Sequence, residues 1–205
     1  METKREQVNT DTAAPSGASI DLYWLLLGAG GHSVRLNGRV FEVVVSRMAR
    51  RPACDLYHSA LEVRVPEGRF VIEQTPASAD AAEHGAVTEG AVGASWARRF
   101  RIFRYEVRRW RDGVIPDVAE AIESPQRLSE DPARARRLLE LVPQVPTPVW
   151  GRDELRVGEM WNSNSVISWL VAGSGLDVDS IRPPTGGRAP GWNAGLVVAG
   201  RAGNR

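Results

Sequence analysis

Lysine is all but missing from this 205-residue chain. Lys4 is the only one, and arginine supplies the rest of the positive charge. That bias reads as the mark of a GC-rich genome, not as chemistry. Cysteine is almost as scarce. With Cys54 alone, a disulfide within the chain is excluded, which suits a reducing compartment. Net charge is nearly absent too, at +1, so no bulk pull toward nucleic acid or an anionic membrane is expected. No apolar run is long enough to span a bilayer. The first, Leu22–Leu27, is short and has no basic region before it, so it reads as a buried strand and not a signal or anchor. These absences place the protein in the cytoplasm. Histidine is limited to His32, His58 and His84, which share no metal-ligand spacing with one another or with Cys54. Neither a metal site nor a cofactor is implied.

What remains is ordinary for a globular domain: 42% hydrophobic and 25% charged residues. Residues 1–18 are polar and read as a disordered segment. Residues 19–200 form a single domain, and 201–205 a tail. Hairpin marks come first. Gly28–Gly31 turns the first strand into residues 32–36, and Asn37-Gly38 turns that strand into 39–45. Residues 46–52 are basic and suit a short helix or loop. Residues 56–65 alternate as a strand, Pro66-Glu67-Gly68 turns, and 69–74 pairs back. Residues 75–95 are small and polar and read as a loop, and 98–110 as a further strand. Helical patterning appears at 116–123 and 131–142, with Pro132 in a first turn. Residues 143–148 form a rigid linker. A buried helix over 162–172 follows, then an irregular loop at 182–191 and a last apolar run at 195–199. Strands first and helices later argue an α+β fold, an antiparallel sheet packed against the central 162–172 helix.

Two short segments carry the chemistry. In the first, Tyr57-His58-Ser59-Ala60-Leu61-Glu62-Val63, a histidine enters a strand. In the second, Trp161-Asn162-Ser163-Asn164-Ser165-Val166, hydroxyl and amide side chains open an apolar helix. Asn162 and Ser163 are both helix-capping types. Groups at this position meet orphan backbone N–H groups and the positive end of the helix dipole, which could hold a developing oxyanion. A plain cap is the competing role.

Together, and in this order, the two segments resemble the circularly permuted papain-like superfamily, which includes NlpC-like peptidases, lecithin:retinol acyltransferase-like enzymes and PPPDE-type isopeptidases. Ser163 stands where that group has its cysteine. The resemblance implies acyl transfer: a hydrolase or acyl transferase acting on an amide, ester or thioester of a small-molecule, lipid or peptide substrate. Ser163 is then the nucleophile and His58 its general base. Glu73, on the neighbouring strand, would orient the imidazole, with Glu62 as competitor at period two from His58. Asn162 and Asn164 would assist the oxyanion, and Trp161 and Trp192 would wall an acyl pocket with the 183–191 loop. Serine in place of cysteine equally suits a catalytically inactive binding or scaffold module of the same fold.

Three weaker signals complete the sequence. Gly28–Gly31 lacks the third glycine and the helix of a dinucleotide loop. The arginine-rich run Arg98–Arg111 could serve nucleic acid. It reads instead as an amphipathic strand with Phe103, Tyr105 and Val107 turned inward and guanidinium groups in water, so nucleic acid is not the expected partner. Cys54 reads as a small buried hydrophobe, with a displaced nucleophile as its other role.

Overall fold

The computed structural model describes residues 17–27, 54–78, 81–115 and 118–203. The expected strands at 32–36 and 39–45, the turns at 28–31 and 37–38, the basic stretch at 46–52, His32 and most of the N-terminal segment lie outside these residues.

The fold is α+β. Six strands, β1 (Ser19–Leu26), β2 (Tyr57–Val65), β3 (Gly68–Pro76), β4 (Ala86–Ala91), β5 (Arg104–Arg111) and β6 (Gln126–Ser129), form one antiparallel sheet in the order β4-β5-β3-β2-β1-β6. Gly68 closes the β2–β3 hairpin at φ +147, a conformation that a side chain would strain.

Helices α1 (Pro132–Leu141), α2 (Ser163–Gly173) and α3 (Trp192–Gly203) pack on one face of the sheet. Asp131 caps α1 by accepting from the Ala133 amide, with Pro132 in the first turn. Ala135, Leu138, Leu139 and Val142 then repeat at helical spacing and are buried. α2 is different. Every residue from Asn164 to Val171 is buried, because β2, β3, α1 and α3 all pack against it. Strand alternation supplies the other half of this core: Ile20, Leu22 and Trp24 from β1, then Leu61 and Val63 from β2. The opposite sheet face carries a smaller cluster of Leu25, Ala60, Val71 and Ile115.

Five expectations are corrected. Residues 75–95 are not one loop, since β4 lies within them. The arginine-rich run is a strand only from Arg104, because residues 95–103 wind into two short 3-10 turns. Tyr105 and Val107 do point into the core, but Phe103 is 41% exposed. Among the described residues of the 116–123 helical pattern there is only a 3-10 turn at Val118–Glu120. At the C-terminus α3 continues to Gly203, past residue 200, where the sequence suggests a tail. Among the described residues no helix is long and apolar enough to cross a membrane.

Candidate functional site

The polar residues singled out in the sequence gather where α2 begins. Asn162 is the cap. Its backbone is extended, and its Oδ1 accepts from the Asn164 and Ser165 amides at 2.9 and 3.3 Å. The Ser165 hydroxyl oxygen accepts in return from the Asn162 amide at 3.1 Å, which completes a capping box. Ser163, the other capping candidate, is the first helical residue and is half-buried.

Asn164 ties this helix end to the sheet. It is 2% exposed. Its Nδ2 donates to the carbonyls of Tyr57 and Pro190, each at 2.9 Å, and its Oδ1 accepts from the Ser59 hydroxyl at 2.9 Å. Asn162 Nδ2 adds a bond to the Pro190 carbonyl at 2.8 Å. Ser165 Oγ donates to the Gly191 carbonyl and Ser168 Oγ to the Trp192 carbonyl, both at 2.7 Å. The 182–191 loop is thus held between α2 and β2. Its Arg188 exchanges backbone bonds with that strand's entrance, accepting from the Tyr57 amide at 2.8 Å and donating to the Asp55 carbonyl at 2.9 Å. Gly191, at φ +82, brings the chain so close to Asn162 that a Cβ would overlap the Asn162 amide.

His58 does not share this side of the sheet. Leu25 stands opposite His58 and Trp24 opposite Ser59 in the β1–β2 register. Cross-strand partners point the same way. Trp24 belongs to the large core beside the helices and Leu25 to the cluster on the far face. Ser59 therefore faces α2, and His58 lies on the face with Leu25 and Ala60. Glu73 is on that far face as well. There its carboxylate lies 3.4 Å from Arg108, which also holds Glu106 at 2.6 Å. Burial pushes the Glu73 carboxyl above its ordinary range, and the Arg108 guanidinium opposes that only in part. Glu62 shares the far face with His58, as period two requires, and is gripped by Arg64 at 2.6 Å and Arg69 at 2.8 Å. The sheet thus separates the expected base and its orienting carboxylates from Ser163.

The aromatic candidates divide. Trp161 is 2% exposed, a core residue and not an open wall. Trp192 is partly buried against the same core, its ring 5.0 Å from that of Trp24. His84 packs edge-on against Trp110 at 4.6 Å. Cys54 is half-buried at the approach to β2. Among the described residues no group of three or more His, Cys, Asp or Glu side chains could hold a metal ion.

Sequence reading missed Ser59, Ser165, Ser168 and the carbonyls of Pro190 and Gly191. A signal was present for the serines. Asn162, Ser165 and Ser168 recur every three residues, which puts them on one stripe of an otherwise apolar helix. Comparison with family models, with curated proteins and with solved structures yields no match.

Proposed function

We propose that this protein is a binding or scaffold module of permuted papain-like type, without acyl-transfer catalysis, in which the head of α2 acts as a structural lock. One observation carries the reading: β2 presents the Ser59 hydroxyl to Asn164, while its register turns His58 to the other face. A serine hydroxyl is a weak nucleophile until a base takes its proton, so Ser163 without the His58 imidazole beside it lacks its expected activation. The neighbouring side chains are already committed. Asn162, Asn164, Ser165 and Ser168 spend their polar atoms on the helix cap, the Ser59 and Tyr57 strand and the 190–192 backbone.

The second reading, a Ser163–His58 hydrolase or acyl transferase on an amide, ester or thioester, keeps one observation in its favour. Ser163 is half-buried in the first turn of α2 while its neighbours are tied down, and helix amides there could receive an oxyanion. Reactive probes separate the two. Under the module reading a fluorophosphonate leaves the protein unlabelled, and a Ser163→Cys variant reacts with a thiol-directed electrophile at the same rate with or without His58→Ala. Labelling of the parent serine, or thiol labelling that slows when His58 is removed, would establish the enzyme instead.

A further inference from the structure

Five of the large apolar side chains that the described surface leaves exposed belong to one place. Four stand on the 3-10 turns at 95–103: Trp96 is 66% exposed, Phe100 47%, Ile102 80% and Phe103 41%. The fifth, Trp150 at 41%, joins them through its backbone bridge to Val92, just before the turns begin. The turns bury only Ala97. A segment that buries one alanine while holding its largest apolar groups outward gains little core burial from them, and such patches mark surfaces covered from outside. The charge of the segment is of one sign. Arg98, Arg99 and Arg101 are exposed, and no carboxylate occurs between Val92 and Arg104.

We propose that this patch docks on an anionic lipid surface. Ile102 and the aromatic side chains would enter the interfacial region while the arginines meet lipid headgroups. Three features favour a bilayer over a nucleic acid strand. The most exposed apolar group, Ile102, is aliphatic and cannot stack on a base. The Arg99 guanidinium already sits over the rings of Trp96 at 5.3 Å and Phe100 at 4.9 Å, so it covers ring faces that bases would need. The combination of Trp and Phe with Arg is also the composition of membrane-interface anchors. The near-zero net charge does not oppose this, because only charges within about 8 Å of the surface are felt at physiological salt. The docking goes beyond the module reading and is independent of whether Ser163 is reactive.

Sedimentation with vesicles tests it. The full chain should co-sediment with phosphatidylcholine–phosphatidylglycerol vesicles at low salt, and much less with phosphatidylcholine alone. Replacing Arg98, Arg99 and Arg101 together by Gln should weaken partitioning about a hundred-fold, from about five-fold for each arginine. Ile102→Asp should weaken it by about ten-fold or more. Both changes are on the surface, so the variants should melt at the parent temperature. Absence of co-sedimentation with the anionic vesicles, or partitioning that neither variant alters, would overturn the proposal. So would a single-stranded oligonucleotide that binds the parent tightly enough to displace it from the vesicles, which would reassign the patch to nucleic acid.

Discussion

Asn164 concentrates more structural consequence than any other polar residue at the α2 head. It is buried, and each of its side-chain ends is engaged, with the Ser59 hydroxyl and with the Tyr57 and Pro190 carbonyls. Removing it takes the bond from the Ser59 hydroxyl and from the Tyr57 carbonyl in a buried site, while Pro190 keeps its bond from Asn162, and an orphaned buried polar group costs about 1–3 kcal/mol. Asn164→Ala should therefore lower unfolding stability in urea by about 2–3 kcal/mol, and Ser59→Ala by about 1 kcal/mol. Ser163→Ala should stay within about 0.5 kcal/mol of the parent, because the cap is Asn162 and not Ser163. At this scale the sequence was half legible. Capping chemistry narrowed the cap to Asn162 or Ser163, since the preference is local and belongs to the residue type, and the structure places it at Asn162. Which β2 residue meets the helix was not legible. His58 and Ser59 differ by one position, and one position in a strand changes the face. Only the pairing with β1 settles that choice, and pairing is a long-range property.

The elements divide in the same way. β1, β2 and β3 announce themselves by apolar content and by the Pro66–Gly68 turn, and α1 by its cap and its Leu spacing. β4, Ala-Val-Thr-Glu-Gly-Ala, lacks alternation, and β6, Gln-Arg-Leu-Ser, is short and polar. Both are edge strands. Their identity comes from the neighbour they pair with and not from their own propensity. The 95–103 run has the aromatic and arginine content of a strand, but it winds into 3-10 turns and joins no strand ladder among the described residues. The contact between α2 and α3 rests on Gly195. A Cβ there would overlap the Ser165 carbonyl oxygen and the Ser168 hydroxyl. Gly195→Ala should thus cost about 1–3 kcal/mol despite the better helix propensity of alanine, as read from the urea midpoint. A stabilised variant would mean that α3 is not seated as closely as described.

For the molecule as a whole, the sheet separates two kinds of interior. The helix side is apolar apart from the uncharged hydrogen-bonded cluster at the head of α2. The far side holds charge in a buried row: Glu73 and Glu106 share Arg108, whose third contact is the Ser78 hydroxyl at 3.2 Å. Glu106 is 0% exposed and has the short bond to Arg108, while Glu73 has only the longer one. The two carboxylates should therefore behave differently. With its pKa raised above the ordinary value of 4.5, Glu73 binds its proton more readily in the folded than in the unfolded chain. Its ionisation costs stability, and that cost appears as pH rises from 4.5 through the raised folded value. The parent should gain stability from this group as pH falls from neutral through the raised folded value toward 4.5. Glu73→Gln should flatten that part of the profile and be no less stable than the parent at neutral pH. Glu106→Gln should lose about 2–3 kcal/mol there, because it removes a charged hydrogen bond in a buried site. Urea denaturation across this pH range checks both.

β6 pairs with β1, and the pairing is reinforced by a hydrogen bond from Arg127 to Asp21 across 106 positions of the chain. β2 and β3, by contrast, meet across a tight hairpin. Closing a long loop costs more entropy than closing a short one, and this closure is rewarded by only four residues of strand. The order of assembly follows. The hairpin and its immediate neighbours can form before the chain has sampled its distant contacts. The strand that completes the sheet should therefore arrive late, and its amides should be among the first to exchange with solvent when the domain opens.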